Sequence, residues 1–188
     1  MKVEDTHIEG VKVFTPSMHK DDRGHFFVSY NDAEMAPHIG GLSFVQDNIS
    51  HSVRGVLRGL HYQVTQPQGK LVRVISGEIF DVAVDIRLGS RTHGEFVGIV
   101  LSASNKQALW VPPGLAHGFL TLSASAEVLY KVTDYWEPSS ERTLRFDDPT
   151  LAIAWPFSTD TELILSPKDA EGFYFGDAID ELRVMEQT

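Results

Sequence analysis

Arg58, His61 and Lys70 lie within a short hydrophobic part of this sequence. Arg58 and His61 fall in the run Gly55–Gln63, and Lys70 begins the next run, Lys70–Gly77. Together the runs have the pattern of a hydrophobic β-hairpin. A small β-barrel has little reason to direct these charges at its core unless the core is a site. Histidine titrates near neutral pH and can act as a base, and lysine can stabilise a developing oxyanion.

The same residues resemble the first motif of the cupins, a family of double-stranded β-helix barrels. In that motif, two histidines and a glutamate that lie between two spaced glycines bind a metal ion. Gly55, His61 and Gly77 fit the spacing, whereas Gln63 replaces the second histidine and Lys70 replaces the glutamate. A cation at the position of a metal ligand predicts a cupin that works without metal. We therefore expect no metal site and no cofactor.

The composition restricts the class of protein further. The 188 residues suffice for one domain, which we expect to span residues 1–188. The formal net charge of −10 argues against a nucleic-acid partner, because phosphate neutralisation needs a basic surface. No apolar run approaches the ~18 residues of a membrane span, and the acidic N-terminus does not resemble a signal peptide. With no cysteine in the chain, these features predict a cytoplasmic protein without a membrane partner.

Short β-runs separated by turn residues make up most of the sequence. In the clearest of them, 79–86, Phe80, Val82 and Val84 alternate with Asp81 and Asp85. The predicted strands are 11–14, 25–30, 43–51, 55–63, 70–75, 79–86, 95–101, 108–111, 117–122 and 126–132. The predicted helices are one short turn from Asn31 to Ala36 that Pro37 stops, and the segments 168–172 and 177–185. Many short strands predict an all-β sandwich, jelly roll or barrel. The cupin motif selects a cupin jelly roll (double-stranded β-helix) with short C-terminal helices.

A second cupin-like motif, Pro112–His117, is followed by Gly118 and Phe119. In cupins the second motif lies across the barrel from the first, so His61 and His117 are expected to share one cavity. From about Phe14 to Asp169 the chain resembles the dTDP-4-dehydrorhamnose 3,5-epimerases and related enzymes that epimerise nucleotide-linked 4-keto-6-deoxy sugars. The resemblance rests on the order of the segments Asp22–Gly24, Val45–Asn48, Arg54–Gln63, Gly69–Val72, Asp81–Arg87, Pro113–Phe119, Tyr130–Lys131 and Ser166–Asp169.

The resemblance implies four catalytic residues. His61 matches the base, Asp169 the carboxylate that orients it, Lys70 the cation beside the 4-keto oxygen, and Tyr130 the proton donor on the opposite side. The chemistry agrees, because abstraction of a proton next to a ketone needs a base, an oxyanion partner and an acid. Further positions match substrate-binding residues, with Arg58 and Arg23 at the phosphates: Arg23, Gln46, Asn48, Arg58, His117, Glu141 and Lys168.

The segment that carries Arg23 implies a homodimer, because in this family it reaches across an interface into the neighbour's site. One departure concerns the nucleobase: the family usually has a glutamate that contacts the base where this chain has Val28. Valine cannot accept a hydrogen bond. We therefore expect Phe26 or Phe27 to stack on the base. We expect Trp136 to line the same pocket.

The sequence thus predicts an isomerase that converts dTDP-4-dehydro-6-deoxy-D-glucose to dTDP-4-dehydro-L-rhamnose by proton abstraction next to the C4 ketone. A 3-epimerase that inverts a single centre, a metal-dependent cupin and a non-catalytic nucleotide-sugar-binding cupin stay open as alternatives. Simpler roles for single residues also stay open. Tyr130 fits an ordinary amphipathic strand, Asp169 fits a helix cap after Ser166, and Glu141 fits a solvated loop.

Overall fold

The computed structural model describes residues 1–157 and 162–185, which form two antiparallel β-sheets packed face to face. From edge to edge, the larger sheet contains β1 (Lys2–Asp5), β2 (Lys12–Thr15), β10 (Ala108–Val111), β7 (Lys70–Ser76), β12 (Ser125–Val132) and β5 (Gln46–Val53). The smaller sheet contains β13 (Glu141–Thr143), β6 (Leu57–Gln63), β11 (Leu115–Thr121), β8 (Glu78–Asp85) and β9 (Phe96–Ser102). A separate hairpin consists of β3 (His19–Asp21) and β4 (Gly24–Phe26).

The space between the two sheets is filled by apolar side chains from both. Val72 and Val128 of the larger sheet pack in one cluster with Ala83 and Phe119 of the smaller sheet. Strands alternate their side chains between two faces, so each strand contributes every second residue to this interior. The two sheets therefore form the wall of a barrel around this apolar interior. The predicted cupin-like jelly roll (double-stranded β-helix) is confirmed.

The outer face of each sheet is also covered in part. Val82 and Val84 point away from the barrel and pack with Leu144 and Trp155, which belong to the chain after β13. On the larger sheet, the segment 30–44 covers Trp110 in the same way. Both faces of β8 are consequently buried, and its carboxylates are buried with it. This double burial explains why the predicted alternation in 79–86 does not separate an exposed face from a core face.

The ten predicted strands are present with shifted ends, apart from 25–30, of which only Gly24–Phe26 is extended in a ladder. Three short strands, β1, β3 and β13, were not predicted. Their side chains are mostly exposed or half-buried, so they carry no apolar alternation that a sequence pattern could reveal.

The helices are short. Helix α1 (Asp32–Met35) continues into the 3₁₀ turn Ala36–His38, so Pro37 begins a further turn instead of ending the helical segment. Helix α2 (Pro167–Ala170), a 3₁₀ turn (Phe175–Ala178) and α3 (Ile179–Met185) occupy the predicted C-terminal region. No helix among the described residues is both long and apolar enough to span a bilayer.

Candidate active site

A cavity of about 350 Å³ opens between the two sheets. Strands from both sheets supply its walls, and helix α2 closes one side. The cavity brings together most of the residues that the sequence predicted: Gln46, Asn48, Arg58, His61, Lys70, His117, Tyr130, Glu141 and Lys168. Ser50, Gln68, Val72 and Trp136 also line it.

His61 forms a short hydrogen bond with Asp169, which lies directly behind it. His61 Nε2 and Asp169 Oδ1 are 2.6 Å apart. Burial lowers the pKa of His61 below its ordinary value, although the adjacent carboxylate of Asp169 opposes this effect. A hydrogen on Nε2 satisfies the carboxylate and leaves Nδ1 unprotonated, which is the state that a base requires.

Asp169 is held by Ser166, which directly precedes α2, and by the backbone of β6. The hydroxyl of Ser166 donates to Asp169 Oδ2 at 2.7 Å, and the backbone N–H of Gly59 donates to Oδ1 at 3.2 Å. Burial raises the pKa of Asp169, but the hydrogen bonds from His61 and Ser166 outweigh it and keep the pKa below the usual value. Ser166 is also the N-cap of α2. Capping and orientation of His61 are thus functions of the same short segment.

His117 lies directly across the β6–β11 ladder from His61. It forms a second histidine–aspartate pair, in which Nε2 is 2.8 Å from Oδ1 of Asp81 on β8. The sequence motifs assign no role to Asp81. Its only signal was a carboxylate on the face of β8 that otherwise carries the core residues Ile79 and Ala83.

Lys70 and Tyr130 occupy neighbouring strands of the opposite sheet. Lys70 begins β7, and burial lowers the pKa of its ammonium to about 8, against the opposing influence of Glu141 and Asp81. Burial likewise raises the pKa of Tyr130, which therefore keeps its proton at neutral pH. Arg58 is fixed beside this residue by a 3.0 Å hydrogen bond from its Nε to Ser52 Oγ.

The rim of the cavity carries a polar network. Glu141 Oε2 is 2.6 Å from Lys168 Nζ, and the carboxylate of Glu141 also accepts a hydrogen bond from Trp136. Gln46 Nε2 donates to Asn48 Oδ1 at 2.7 Å on β5. Glu141 is therefore half-buried and paired at the rim, not a solvated loop carboxylate.

Arg23 and Phe26 lie outside this cavity, on the projecting hairpin of β3 and β4. The Arg23 side chain is 90% exposed and pairs with Asp21, while Phe26 is 67% exposed. Val28 is exposed as well. Phe27 is not free to stack on a base, because its ring packs against His25 and under the guanidinium of Arg73. Within one chain the hairpin is separate from the cavity.

The cavity does not offer the ligands of a divalent metal. The imidazoles of His61 and His117 are each bonded to a carboxylate, and the ammonium of Lys70 lies at the position of the third cupin ligand. Within residues 1–157 and 162–185, no group of three or more histidine or acidic side chains could hold a metal ion. A lysine ammonium next to two imidazoles that are hydrogen-bonded to carboxylates does not fit the metal site of a metal-dependent cupin.

The fold and this cavity together define the class of the protein, a cupin-like jelly roll with a polar cavity between its two sheets. A family model described as dTDP-4-dehydrorhamnose 3,5-epimerase matches residues 5–177. The chain belongs to this family, as the sequence motifs predicted.

Individual relatives agree with the family assignment. The dTDP-4-dehydrorhamnose 3,5-epimerase of Pseudomonas aeruginosa is 54% identical over 179 residues, which are 95% of this chain and 98% of that protein. The dTDP-6-deoxy-D-glucose-3,5-epimerase of Legionella pneumophila Philadelphia 1, solved in complex with dTDP-4-keto-L-rhamnose, is 48% identical with a TM-score of 0.92 over 96% of each chain. A 3′-monoepimerase from Streptomyces bikiniensis, solved with dTDP-quinovose, is 31% identical with a TM-score of 0.86 over 95% of this chain and 90% of that one.

Proposed function

We propose that this chain epimerises dTDP-4-dehydro-6-deoxy-D-glucose at C3 and C5 to give dTDP-4-dehydro-L-rhamnose, using only its own side chains. The observation that carries the proposal is the partly buried His61–Asp169 pair facing a cavity that also holds Lys70 and Tyr130. These residues supply a base, an oxyanion partner and an acid. The high identity to 3,5-epimerases over most of the chain supports the same substrate.

Each inversion is a proton transfer in two halves. Nδ1 of His61 removes the proton from the carbon next to the ketone; the C–H electron pair forms a C=C bond to the carbonyl carbon, and the C=O π pair moves onto the oxygen to give an enolate. The ammonium of Lys70 stabilises that oxygen, a contribution typically worth ~10²–10³ in rate. Tyr130 then protonates the carbon from the opposite face, and solvent returns both side chains to their starting states. No atom is gained or lost, as an isomerisation requires.

The rest of the substrate is assigned to the polar wall and rim of the cavity. Arg58, anchored by Ser52, is proposed to bind the diphosphate, because a guanidinium matches phosphate oxygens in charge and geometry. We assign contacts with the nucleotide sugar to Gln46, Asn48, His117, Glu141 and Lys168, which line the same cavity.

Arg23 and Phe26 enter the proposal through a homodimer. Two observations support it: the hairpin projects from the chain, and the outer face of the larger sheet exposes Ile49, Val53 and Ile75. A second copy that covers this apolar face would bring each hairpin to the neighbour's cavity. The single domain spanning 1–188 and the cytoplasmic location stay predictions.

A complementation experiment tests the exchanged hairpin. Arg23→Ala and His61→Asn are each expected to be nearly inactive, and a mixture refolded together should regain activity, because one site then receives both native residues. The matched control mixes His61→Asn with Tyr130→Phe: both residues line the cavity of the same chain, so no mixed site holds both native residues and this mixture should not complement. A monomer in light scattering, or a mixture of Arg23→Ala and His61→Asn no more active than its components, would contradict the exchange.

Isotope incorporation tests the reaction itself. Incubation with dTDP-4-dehydro-6-deoxy-D-glucose in D₂O should place deuterium at C3 and C5 of the product. Deuterium at C3 alone would favour a monofunctional 3-epimerase, the alternative that the structural likeness to a 3′-monoepimerase supports. Saturable binding of the substrate without exchange at either carbon would show a binding protein instead.

A further inference from the structure

Asp81 is a fully buried carboxylate that the proposed reaction does not use. It lies in β8, with Phe119 and Ile99 as its neighbours on the adjoining strands, and it is 0% exposed. Only Oδ1 has a hydrogen-bond partner among the described residues, which is His117 Nε2 at 2.8 Å. Oδ2 is buried with no hydrogen-bond partner in the same part of the chain.

A buried, ionised carboxylate with one unpaired oxygen destabilises the folded protein unless a positive charge compensates it. Removing an ion from water carries a penalty of several kcal/mol even after the protein relaxes, and a single hydrogen bond satisfies only one of its oxygens. An apolar residue or a threonine would be the cheaper occupant if the position served only to pack the barrel. The retained charge indicates that Asp81 acts on a cation nearby.

Lys70 is a cation on which the charge of Asp81 acts. Burial in the low-dielectric interior destabilises the ammonium of Lys70, and the charges that oppose this effect are those of Glu141 and Asp81. Lys168 acts in the other direction, and in the described part of the chain Lys70 Nζ also donates to the backbone oxygen of His61 at 3.4 Å. Glu141 is already paired with Lys168 at the rim. Asp81 is thus the buried anion left to compensate Lys70.

We propose that Asp81 is the buried counter-ion of the site: it keeps Lys70 protonated and fixes the orientation of His117, without contacting the substrate itself. One carboxylate oxygen positions His117, and the other, which has no hydrogen-bond partner among the described residues, leaves its charge free to act on Lys70 through the barrel interior. Asp81 is therefore a positioning residue. The consequence for catalysis, a charged ammonium at the ketone oxygen, rests on the proposed epimerase function, whereas the effect on Lys70 does not.

A titration of Lys70 tests the proposal independently of turnover. The Cε resonance of Lys70, in protein with ¹³C-labelled lysine and assigned by Lys70→Arg, reports the protonation of the ammonium directly. Its midpoint is expected at about 8 in the unmodified chain. In Asp81→Asn it should fall by about one unit, the lower end of the effect of a nearby opposite charge. The alkaline limb of the kcat profile should move to lower pH by the same amount.

The control is Asp47→Asn, which removes a carboxylate that pairs with Lys131, a residue that does not line the cavity. It should leave the Lys70 midpoint in place. An unchanged midpoint in folded Asp81→Asn would overturn the proposal, even if activity fell. If the unmodified protein proved not to be an epimerase, the titration would still decide the role of Asp81.

A double-mutant cycle keeps the proposal testable if Asp81→Asn alone does not fold. Lys70→Met leaves Asp81 uncompensated, and Asp81→Asn leaves Lys70 uncompensated, so the double variant should be more stable in urea than the two single effects predict when added. Additive effects would show that the two charges do not interact and would overturn the proposal. His117→Gln, which removes only the other partner, should leave the Lys70 midpoint nearly unchanged.

Discussion

Replacing Asp169 by asparagine should reduce kcat by about 10³–10⁴. When His61 takes the substrate proton it becomes an imidazolium, and the carboxylate of Asp169, 2.6 Å from Nε2, stabilises that charge. At an effective dielectric constant near 20 and ~4 Å between charge centres, this interaction is worth roughly 4 kcal/mol, or about 10³ in rate. Loss of the fixed tautomer adds to the effect, and the equivalent change in hydrolase triads costs about 10⁴.

The pH profile of Asp169→Asn should shift in a direction that the structure defines. Asp169 raises the pKa of His61 against the larger, opposing effect of burial. Without the carboxylate the pKa of His61 falls further, so the acid limb of kcat/KM should move to lower pH. Activity would be followed by formation of epimerised product and by exchange of the α-proton with D₂O.

The matched control is Asp180→Asn, which removes a carboxylate from an exposed pair with Arg183. Its kcat and acid limb should equal those of the unmodified chain. If Asp169→Asn keeps kcat within tenfold of that chain and its acid limb does not move, the assignment of His61 and Asp169 as the base pair is wrong.

Three other changes have distinct expected outcomes. Tyr130→Phe should keep α-proton exchange while lowering product formation by about 10²–10⁴, because only the acid is lost; an equal loss of both would contradict its role. Ser166→Ala should lower kcat by roughly tenfold, since a hydrogen bond to a charged group is worth about 1.5 kcal/mol, and Ser166→Thr should restore it if the hydroxyl positions Asp169. Asp85→Asn should lower the free energy of unfolding in urea by about 2 kcal/mol at pH 7, because hydrogen bonds hold the folded pKa of Asp85 at about 2, against an ordinary 3.8 and despite burial. This contribution is present above pH ~4 and lost as pH falls toward ~2, so the variant and the unmodified chain should converge in acid.

The strands could be predicted from the sequence because the barrel buries alternate side chains. This signal is strong in β7, β8 and β12, whose inward residues form the core. It fails for β3, where every residue is exposed, and for β13, which is polar because it lines the rim. Segment 27–30 was wrongly extended as a strand, since its aromatic residues pack against Arg73 and Phe44 in irregular backbone.

The site could be predicted only in part, for a different physical reason. His61 and Lys70 lie nine residues apart in sequence, so motif spacing found them. Asp169 is separated from His61 by 108 residues, and no local pattern connects them; only the resemblance to a family could. The presence of Asp81 in the site was not predicted, because an isolated carboxylate in a strand is ordinarily interpreted as exposed. The hairpin with Arg23 and Phe26 lies apart from the cavity, and one chain alone cannot place it there.

The short segment Ser166–Asp169 has a consequence for how the protein becomes active during its synthesis. Every strand of the barrel precedes this segment, and the link from Gly59 to Asp169 spans 110 residues. Because domains fold as the chain emerges, the sheets can assemble on the ribosome before the carboxylate that activates His61 exists. The nascent barrel would bind the nucleotide sugar without epimerising it, and catalysis would begin only when the segment Ser166–Asp169 docks on β6. Proteolytic cleavage just before Ser166 should therefore leave a protein that binds the nucleotide sugar but does not epimerise it.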